Sequence, residues 1–267
     1  MKIIDTDELK ILQTDVLDAI HRFCEKQGIK YTMGCGTLLG AVRHKGYIPW
    51  DDDIDIYLLR EDYEILMKLF PSLYDGKYEI VSLERDVSWE RPYAKAYDNR
   101  TVFQESATYK QVIGVGIDVY PIDNVPDDER EWATYNRKRL FFQRLFQVKF
   151  IRVNKTRNFW KNGLLVLMKA ALLPVSLNRF ARFLSRYAQK FNDIPTRYVF
   201  ETVQGVYVRR RFRKDTFLEI IDLPFEDRCF KGLKNYDEYL RNAYGDYMQL
   251  PPEEKRVTHH DFTAYWK

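Results

Sequence analysis

Apolar residues recur at helical spacing near the start of the chain. Leu9, Leu12, Val16, Ile20 and Phe23 fall on one stripe with charged residues between them. That period predicts an amphipathic helix over residues 6–27, and Gly28 is placed to cap its C-terminus. The pattern then shortens. Residues 29–33 read as a short strand, 37–44 as a short helix, 54–58 as a strand and 60–70 as a helix. Further strands are expected near 78–83, 93–97, 101–105 and 113–119, with Asp98-Asn99 turning the chain between the second and third of these.

The pattern changes character after that. Residues 127–151 predict a helix rich in bases, and 178–191 continue helical and basic. Between them lies an apolar run, 163–177, interrupted by Lys169 and Pro174 and too short for a spanning helix. It can lie at a membrane interface or pack as a core helix, and core packing is the default reading. No repeat or low-complexity segment is evident.

Composition narrows the class. A chain of 267 residues allows one large domain or two small ones, with ample core. The N-terminus is charged and lacks an apolar signal core, so secretion is not expected. The three cysteines, Cys24, Cys35 and Cys229, form no CxxC pair, so neither a disulfide framework nor a zinc knuckle is suggested, and a reducing cytoplasm fits best. The net charge of +4 conceals an asymmetry: residues 132–192 hold 14 Lys and Arg and no acid, whereas acids outnumber bases elsewhere. The basic segment is a candidate surface for anions.

Two irregularities carry the candidate chemistry. The first is the small-residue turn Met33-Gly34-Cys35-Gly36-Thr37-Leu38. The second is Trp50-Asp51-Asp52-Asp53-Ile54-Asp55-Ile56. On a strand, Asp53 and Asp55 share one face while Ile54 and Ile56 point into a core. A solvated acidic turn is the bland reading, but such a turn needs no buried face. Asp118, a lone acid in the apolar run Gly116-Ile117-Asp118-Val119-Tyr120, needs a partner or a metal.

Asp53, Asp55 and Asp118 together make a plausible carboxylate triad for Mg²⁺ (or Mn²⁺), with Asp51 in support and Asp52 pointing elsewhere. Backbone N–H groups around Gly34, Gly36, Thr37 and Leu38 can bind phosphate oxygens, and Arg43, His44 and Lys95 can offset their charge. Cys35 reads as a small residue fitting a tight turn rather than as a nucleophile. His259 and His260 point different ways on an ordinary backbone, so they are candidate substrate contacts rather than a shared metal site.

The run Gly36-Thr37-Leu38-Leu39-Gly40-Ala41-Val42-Arg43-His44-Lys45-Gly46, followed by Ile48-Pro49-Trp50-Asp51-Asp52-Asp53-Ile54-Asp55, resembles the LicD family. That family belongs to the nucleotidyltransferase superfamily of DNA polymerase beta type, includes bacterial phosphocholine transferases and is related to fukutin-related proteins. The resemblance extends to Gly116-Ile117-Asp118-Val119-Tyr120-Pro121-Ile122-Asp123, and to Tyr236-Asp237-Glu238-Tyr239-Leu240, Tyr244-Gly245-Asp246-Tyr247 and Leu250-Pro251-Pro252. It departs at Cys35, where the family has the first glycine of Gly-Gly-Thr.

The resemblance implies an α+β fold, a nucleotidyltransferase-like mixed sheet with flanking helices, to which the basic helical segment is added. It implies a catalytic core over 1–125, a basic segment over 126–195 facing membrane or acceptor, and a C-terminal part, 196–267, completing the site. It implies a phosphotransferase that moves phosphocholine from CDP-choline to a sugar hydroxyl of a lipid-linked glycan precursor (teichoic acid, lipopolysaccharide or capsule), with Mg²⁺ on Asp53, Asp55 and Asp118. Choline recognition needs aromatic faces, for which Trp50, Tyr57, Tyr93, Tyr97 and Tyr120 are candidates. The expected place is cytoplasmic, peripheral on an anionic membrane surface. Transfer of ribitol phosphate, glycerol phosphate or a nucleotide would use the same metal chemistry. Two further classes stay open, a metal-dependent phosphodiester hydrolase and a non-catalytic membrane-surface binder. Nucleic acid is not an expected partner.

Overall fold

The structure, a computed structural model, describes residues 2–70, 75–105, 111–151, 158–204, 211–257 and 262–267. Its elements in chain order are α1 (Thr6–Gln27), β1 (Thr32–Met33), α2 (Cys35–Arg43), β2 (Asp55–Leu59), α3 (Arg60–Leu69), β3 (Tyr78–Val81), β4 (Ala94–Asp98), β5 (Thr101–Glu105) and β6 (Gly116–Val125). Next come α4 (Glu129–Val148), α5 (Phe159–Leu172), α6 (Leu177–Ala188), β7 (Tyr198–Phe200), β8 (Phe212–Arg213), α7 (Lys214–Leu218), β9 (Ile220–Phe225), β10 (Arg228–Leu233), α8 (Tyr236–Tyr244) and β11 (Phe262–Trp266). The class is α+β, as the family resemblance implies.

α1 begins and ends where its capping residues dictate. The Asp5 carboxylate accepts from the Glu8 N–H, and Gly28 takes the left-handed conformation at φ 69°, returning its N–H to the last turn. The apolar stripe packs on a sheet ordered β1-β2-β6-β4-β3. In that sheet β2 and β6 run parallel, and β1, β3 and β4 are antiparallel to their neighbours. β7 pairs with the far end of β6, at Asp123 to Val125, so the C-terminal part joins the same sheet.

β6 runs further than its sequence suggests, because Pro121 interrupts the apolar pattern without ending the strand. The missing N–H of Pro121 falls beyond the β4 ladder, which stops at Val119. β4 and β5 flank the Asn99 turn but do not pair with each other. β5 pairs with β11 instead, from Thr101↔Trp266 to Glu105↔Phe262.

Asp123 holds the far end of the sheet. It is fully buried and takes a bidentate pair from Arg60 at 2.7 and 2.9 Å, with further donors from Thr202 Oγ1 at 2.6 Å and Asn192 Nδ2 at 2.8 Å. Four donors satisfy a carboxylate that would otherwise be too costly to bury.

α4 and α6 pack over a second cluster that includes Trp89, Phe146, Phe180 and Leu184. The core-helix reading of residues 163–177 does not hold: within α5 only Leu165 is buried. The chain bends by 87° between α5 and α6, and among the described residues no single helix is long and apolar enough to cross a membrane.

Candidate active site

Backbone pairing places the acids. The Gly34 N–H donates to the Asp55 carbonyl at 2.9 Å, and the Asp55 N–H donates to Thr37 Oγ1 at 2.8 Å, so α2 and β2 begin locked together. The Asp118 N–H donates to the Ile54 carbonyl at 2.9 Å, which opens the parallel pairing and sets Asp55 directly beside Asp118. Gln13 of α1 donates from Nε2 to the carbonyls of Asp52 (2.9 Å) and Gly116 (3.3 Å), fixing the acidic loop against the start of β6.

The side chains converge on one cleft of about 440 Å³. Asp51, Asp52, Asp53, Asp55 and Asp118 all line it. Asp53 lies just before the strand, in the extended segment leading into β2, and still reaches the cleft. Asp51, Asp52 and Asp53 each offer a carboxylate oxygen within 4.8 Å of the others. Asp52, expected to point elsewhere, therefore belongs to the acidic group. Asp118 Oδ1 lies 2.6 Å from Lys95 Nζ, and its Oδ2 accepts from the Tyr120 hydroxyl at 3.0 Å. Burial first, then the charges of Asp53, Asp118 and Asp51, push the Asp55 carboxyl well above the usual carboxylate range, with Lys95 opposing.

This donor set fits a hard divalent cation. Asp51, Asp52 and Asp53 bring their oxygens close enough to share one ion, Asp55 and Asp118 line the same cleft, and oxygen ligands in such excess of negative charge are the kind that Mg²⁺ takes. A bound cation would favour the ionised form of Asp55 that burial and its neighbours now oppose.

The small-residue turn fits tightly under this group. A Cβ on Gly36 would lie 2.6 Å from Asp51 Oδ2, and one on Gly34 would lie 2.7 Å from the Tyr57 ring. Cys35 holds φ at 41°, a region that suits the glycine it replaces. Its Sγ sits 2.7 Å from the Tyr57 hydroxyl, and its N–H donates to the Tyr239 hydroxyl at 3.3 Å. Burial pushes the thiol well above its ordinary pKa, which keeps it protonated and a poor nucleophile.

The phosphate-binding candidates separate. The N–H of Gly34 is spent on Asp55 and that of Leu38 on the Gly34 carbonyl, while the Thr37 hydroxyl serves Asp55. By helix geometry the N–H groups left at the first turn of α2 are those of Gly36 and Thr37, and Gly36 lines the cleft. Arg43 and His44 lie at the other end of α2, roughly 12 Å along its axis. There Arg43 donates to the Tyr247 carbonyl at 2.7 Å and to His44 Nε2 at 2.9 Å. His44 meets the edge of Trp50 at a ring separation of 6.3 Å, which links that end of α2 to the cleft rim.

Trp50, Tyr57, Tyr93 and Tyr120 line the cleft, and Tyr93 and Tyr120 pack with ring centres 4.5 Å apart. Tyr97 does not join them; its hydroxyl donates to Glu79 at 2.9 Å. His259 and His260 lie outside the described residues.

Sequence reasoning missed Glu201, a buried acid of the cleft wall whose Oε1 accepts from the Val203 and Gln204 N–H groups. No local motif marks it. It is delivered by the Asp123↔Phe200 pairing of β6 with β7, a contact between distant segments.

Comparison with known proteins follows the same geography. The sequence model of the family described as LicD/FKTN/FKRP, nucleotidyltransferase domain, matches residues 28–164, which span the turn, both acidic strands and α4. The lipopolysaccharide cholinephosphotransferase LicD of Haemophilus influenzae is 30% identical over 269 residues, covering 99% of each chain. An uncharacterized protein of Rickettsia prowazekii is 44% identical over 73 residues, 27% of this chain and 25% of that protein. One of Rickettsia typhi is 45% identical over 60 residues, 22% and 19% of the two chains.

Proposed function

The chain belongs to the LicD family, and from that premise we propose that it transfers phosphocholine from CDP-choline to a sugar hydroxyl of a lipid-linked glycan of the lipopolysaccharide kind. The observation that carries this reading is the register of the two parallel strands. Asp55 opposite Asp118, with Asp51, Asp52 and Asp53 grouped just ahead of the strand, lines with carboxylates a cleft large enough for a nucleotide-activated donor. Similarity to a lipopolysaccharide cholinephosphotransferase over 99% of both chains supports phosphocholine as the group transferred.

Asp53, Asp55 and Asp118 would hold Mg²⁺, with Asp51 and Asp52 adjacent. When bound, such an ion neutralises the donor phosphates and lowers the pKa of an attacking hydroxyl. The acceptor oxygen forms a bond to the phosphorus of phosphocholine, the bond from that phosphorus to the bridging oxygen breaks, and CMP leaves. The acceptor hydroxyl loses its proton to the carboxylate group of the cleft. Lys95 fixes Asp118 on one side and Tyr120 fixes it on the other, so this carboxylate is oriented before substrate arrives. The N–H groups of Gly36 and Thr37 offer the donor phosphates backbone contacts. Trp50, Tyr93 and Tyr120 present ring faces and edges suited to a quaternary ammonium.

The test is CMP release from a panel of CDP-alcohols with Mg²⁺, with and without a glycan acceptor. Release that needs both CDP-choline and the acceptor supports the reading. Acceptor-independent release indicates a hydrolase, and release only from CDP-ribitol or CDP-glycerol removes choline as the donor alcohol.

A further inference from the structure

α5 has the composition of a core helix and the exposure of a surface one. Phe159, Trp160, Leu164 and Leu167 are 79%, 80%, 60% and 69% exposed, and Leu173 just beyond the helix is 77% exposed. Trp160, Leu164 and Leu167 recur at i, i+4 and i+7, so they form one stripe. An apolar stripe of this kind asks for cover.

Charge decides what covers it. Lys161 and Lys169 lie on α5, and Arg179, Arg182 and Arg186 lie on α6 across the 87° bend. No acid occurs from 132 to 192. Two copies of this surface would repel each other, whereas an anionic bilayer satisfies both the apolar stripe and the bases. Length decides the pose. Fourteen residues extend roughly 21 Å, short of the roughly 30 Å hydrocarbon core, so the helix can lie in the interface but cannot cross it.

We propose that α5 docks in the plane of an anionic phospholipid surface, with Phe159, Trp160, Leu164 and Leu167 among the acyl chains and the bases of α5 and α6 on the headgroups. The docking has a consequence that rests on the proposed function. A side groove of about 110 Å³ shares Tyr93 and Gln204 with the acid cleft and is walled by Phe146 and Phe150 of the α4 end. Those two rings pack in the same cluster as Leu172 and Val175, at the close of α5. The C-terminal end of α5 thus packs in the cluster that walls this groove, and the groove is the path we assign to the sugar of a lipid-borne acceptor.

The experiment uses the full chain and sedimenting vesicles of phosphatidylethanolamine mixed with either phosphatidylglycerol or phosphatidylcholine. The protein is expected to sediment with the phosphatidylglycerol vesicles, less so as salt is raised. The triple variant Phe159→Ser, Trp160→Ser, Leu167→Ser should bind them at least about tenfold more weakly, with an unchanged urea midpoint. The docking idea is overturned if the wild type stays in the supernatant with phosphatidylglycerol vesicles, or if the triple variant binds as the wild type does. It is equally overturned if the wild type is a dimer that the triple variant splits, since a second copy would then cover α5. CMP release with a detached, water-soluble acceptor separates the two claims: its persistence in a protein that fails to bind vesicles removes the docking and leaves the transferase reading intact.

Discussion

At the cleft, carboxylates are drawn out of water: Asp52 is 5% exposed, and Asp55 is held where burial and three other acids oppose its charge. At α5 the reverse holds, and Phe159 and Trp160 stand about four-fifths in solvent. The crowded acids cost stability that a cation would return, whereas the α5 stripe, as exposed in the folded chain as in the unfolded one, costs none and instead leaves an apolar surface that a lipid bilayer would cover. Buried acids that serve only the fold look different. Asp123 is more deeply buried than Asp52, yet four donors satisfy it, and nothing about it calls for a ligand. The contrast teaches where to look for function: at groups whose environment contradicts their chemistry.

The largest expected effect breaks the comparison at the cleft. Asp55→Asn should lower kcat by about a thousandfold or more, since under the proposed mechanism it would remove a cation ligand and a charge from the cleft. The same change should raise the melting temperature in chelator, because an amide ends the repulsion with Asp53 and Asp118. A fall in melting temperature would show that Asp55 is not held under electrostatic conflict. Wild-type activity should vanish on chelation and return with Mg²⁺.

Next in size is the satisfied acid. Arg60→Met strands the Asp123 carboxylate in the core and should cost about 3–5 kcal/mol in urea unfolding. A loss under about 1 kcal/mol would mean that Thr202 and Asn192 suffice for Asp123. A tryptophan pair makes the parallel comparison for apolar groups. Trp89, fully buried with its indole N–H on the Tyr93 carbonyl at 2.7 Å, should cost about 3–5 kcal/mol on change to Ala. Trp160→Ser should change urea stability by no more than about 0.5 kcal/mol.

Much of this is legible in the sequence, for reasons that differ by residue. α1 can be bounded because its period, its Asp5 cap and its Gly28 cap are all local. Asp53, Asp55 and Asp118 can be singled out because acids alternating with isoleucine and valine conflict with a buried strand. The parallel pairing that unites them is not local, and neither is the β6–β7 pairing that delivers Glu201. Strand alternation sets Asp52 aside, but the strand begins at Asp55, so the alternation rule does not reach back to it. The run at 163–177 shows the limit of periodicity: composition cannot tell a helix buried by protein from one left for another surface to cover.

The smallest expected effect concerns the end of α2, where Arg43 donates from Nε to His44 Nε2 at 2.9 Å. That bond needs Nε2 unprotonated, so it exists only for neutral His44. Partial burial, and then the adjacent guanidinium, hold the His44 pKa below its ordinary value of 6.5. A depressed folded pKa means that the unfolded chain takes up a proton first as pH falls. The contribution to stability is thus fully present above about pH 6.5 and is lost as pH drops through the folded pKa. Because the ring keeps part of its contact with solvent, the change should amount to no more than about tenths of a kcal/mol. Titration of the His44 ring protons by NMR should give a pKa below 6.5 that moves upward in Arg43→Met. A donor phosphate bound near this end of α2 would raise it as well, so an upward shift on adding CDP-choline would place Arg43 and His44 within reach of the donor. An unmoved pKa would leave them as a cap on the helix, outside the site that Asp55 and Asp118 define.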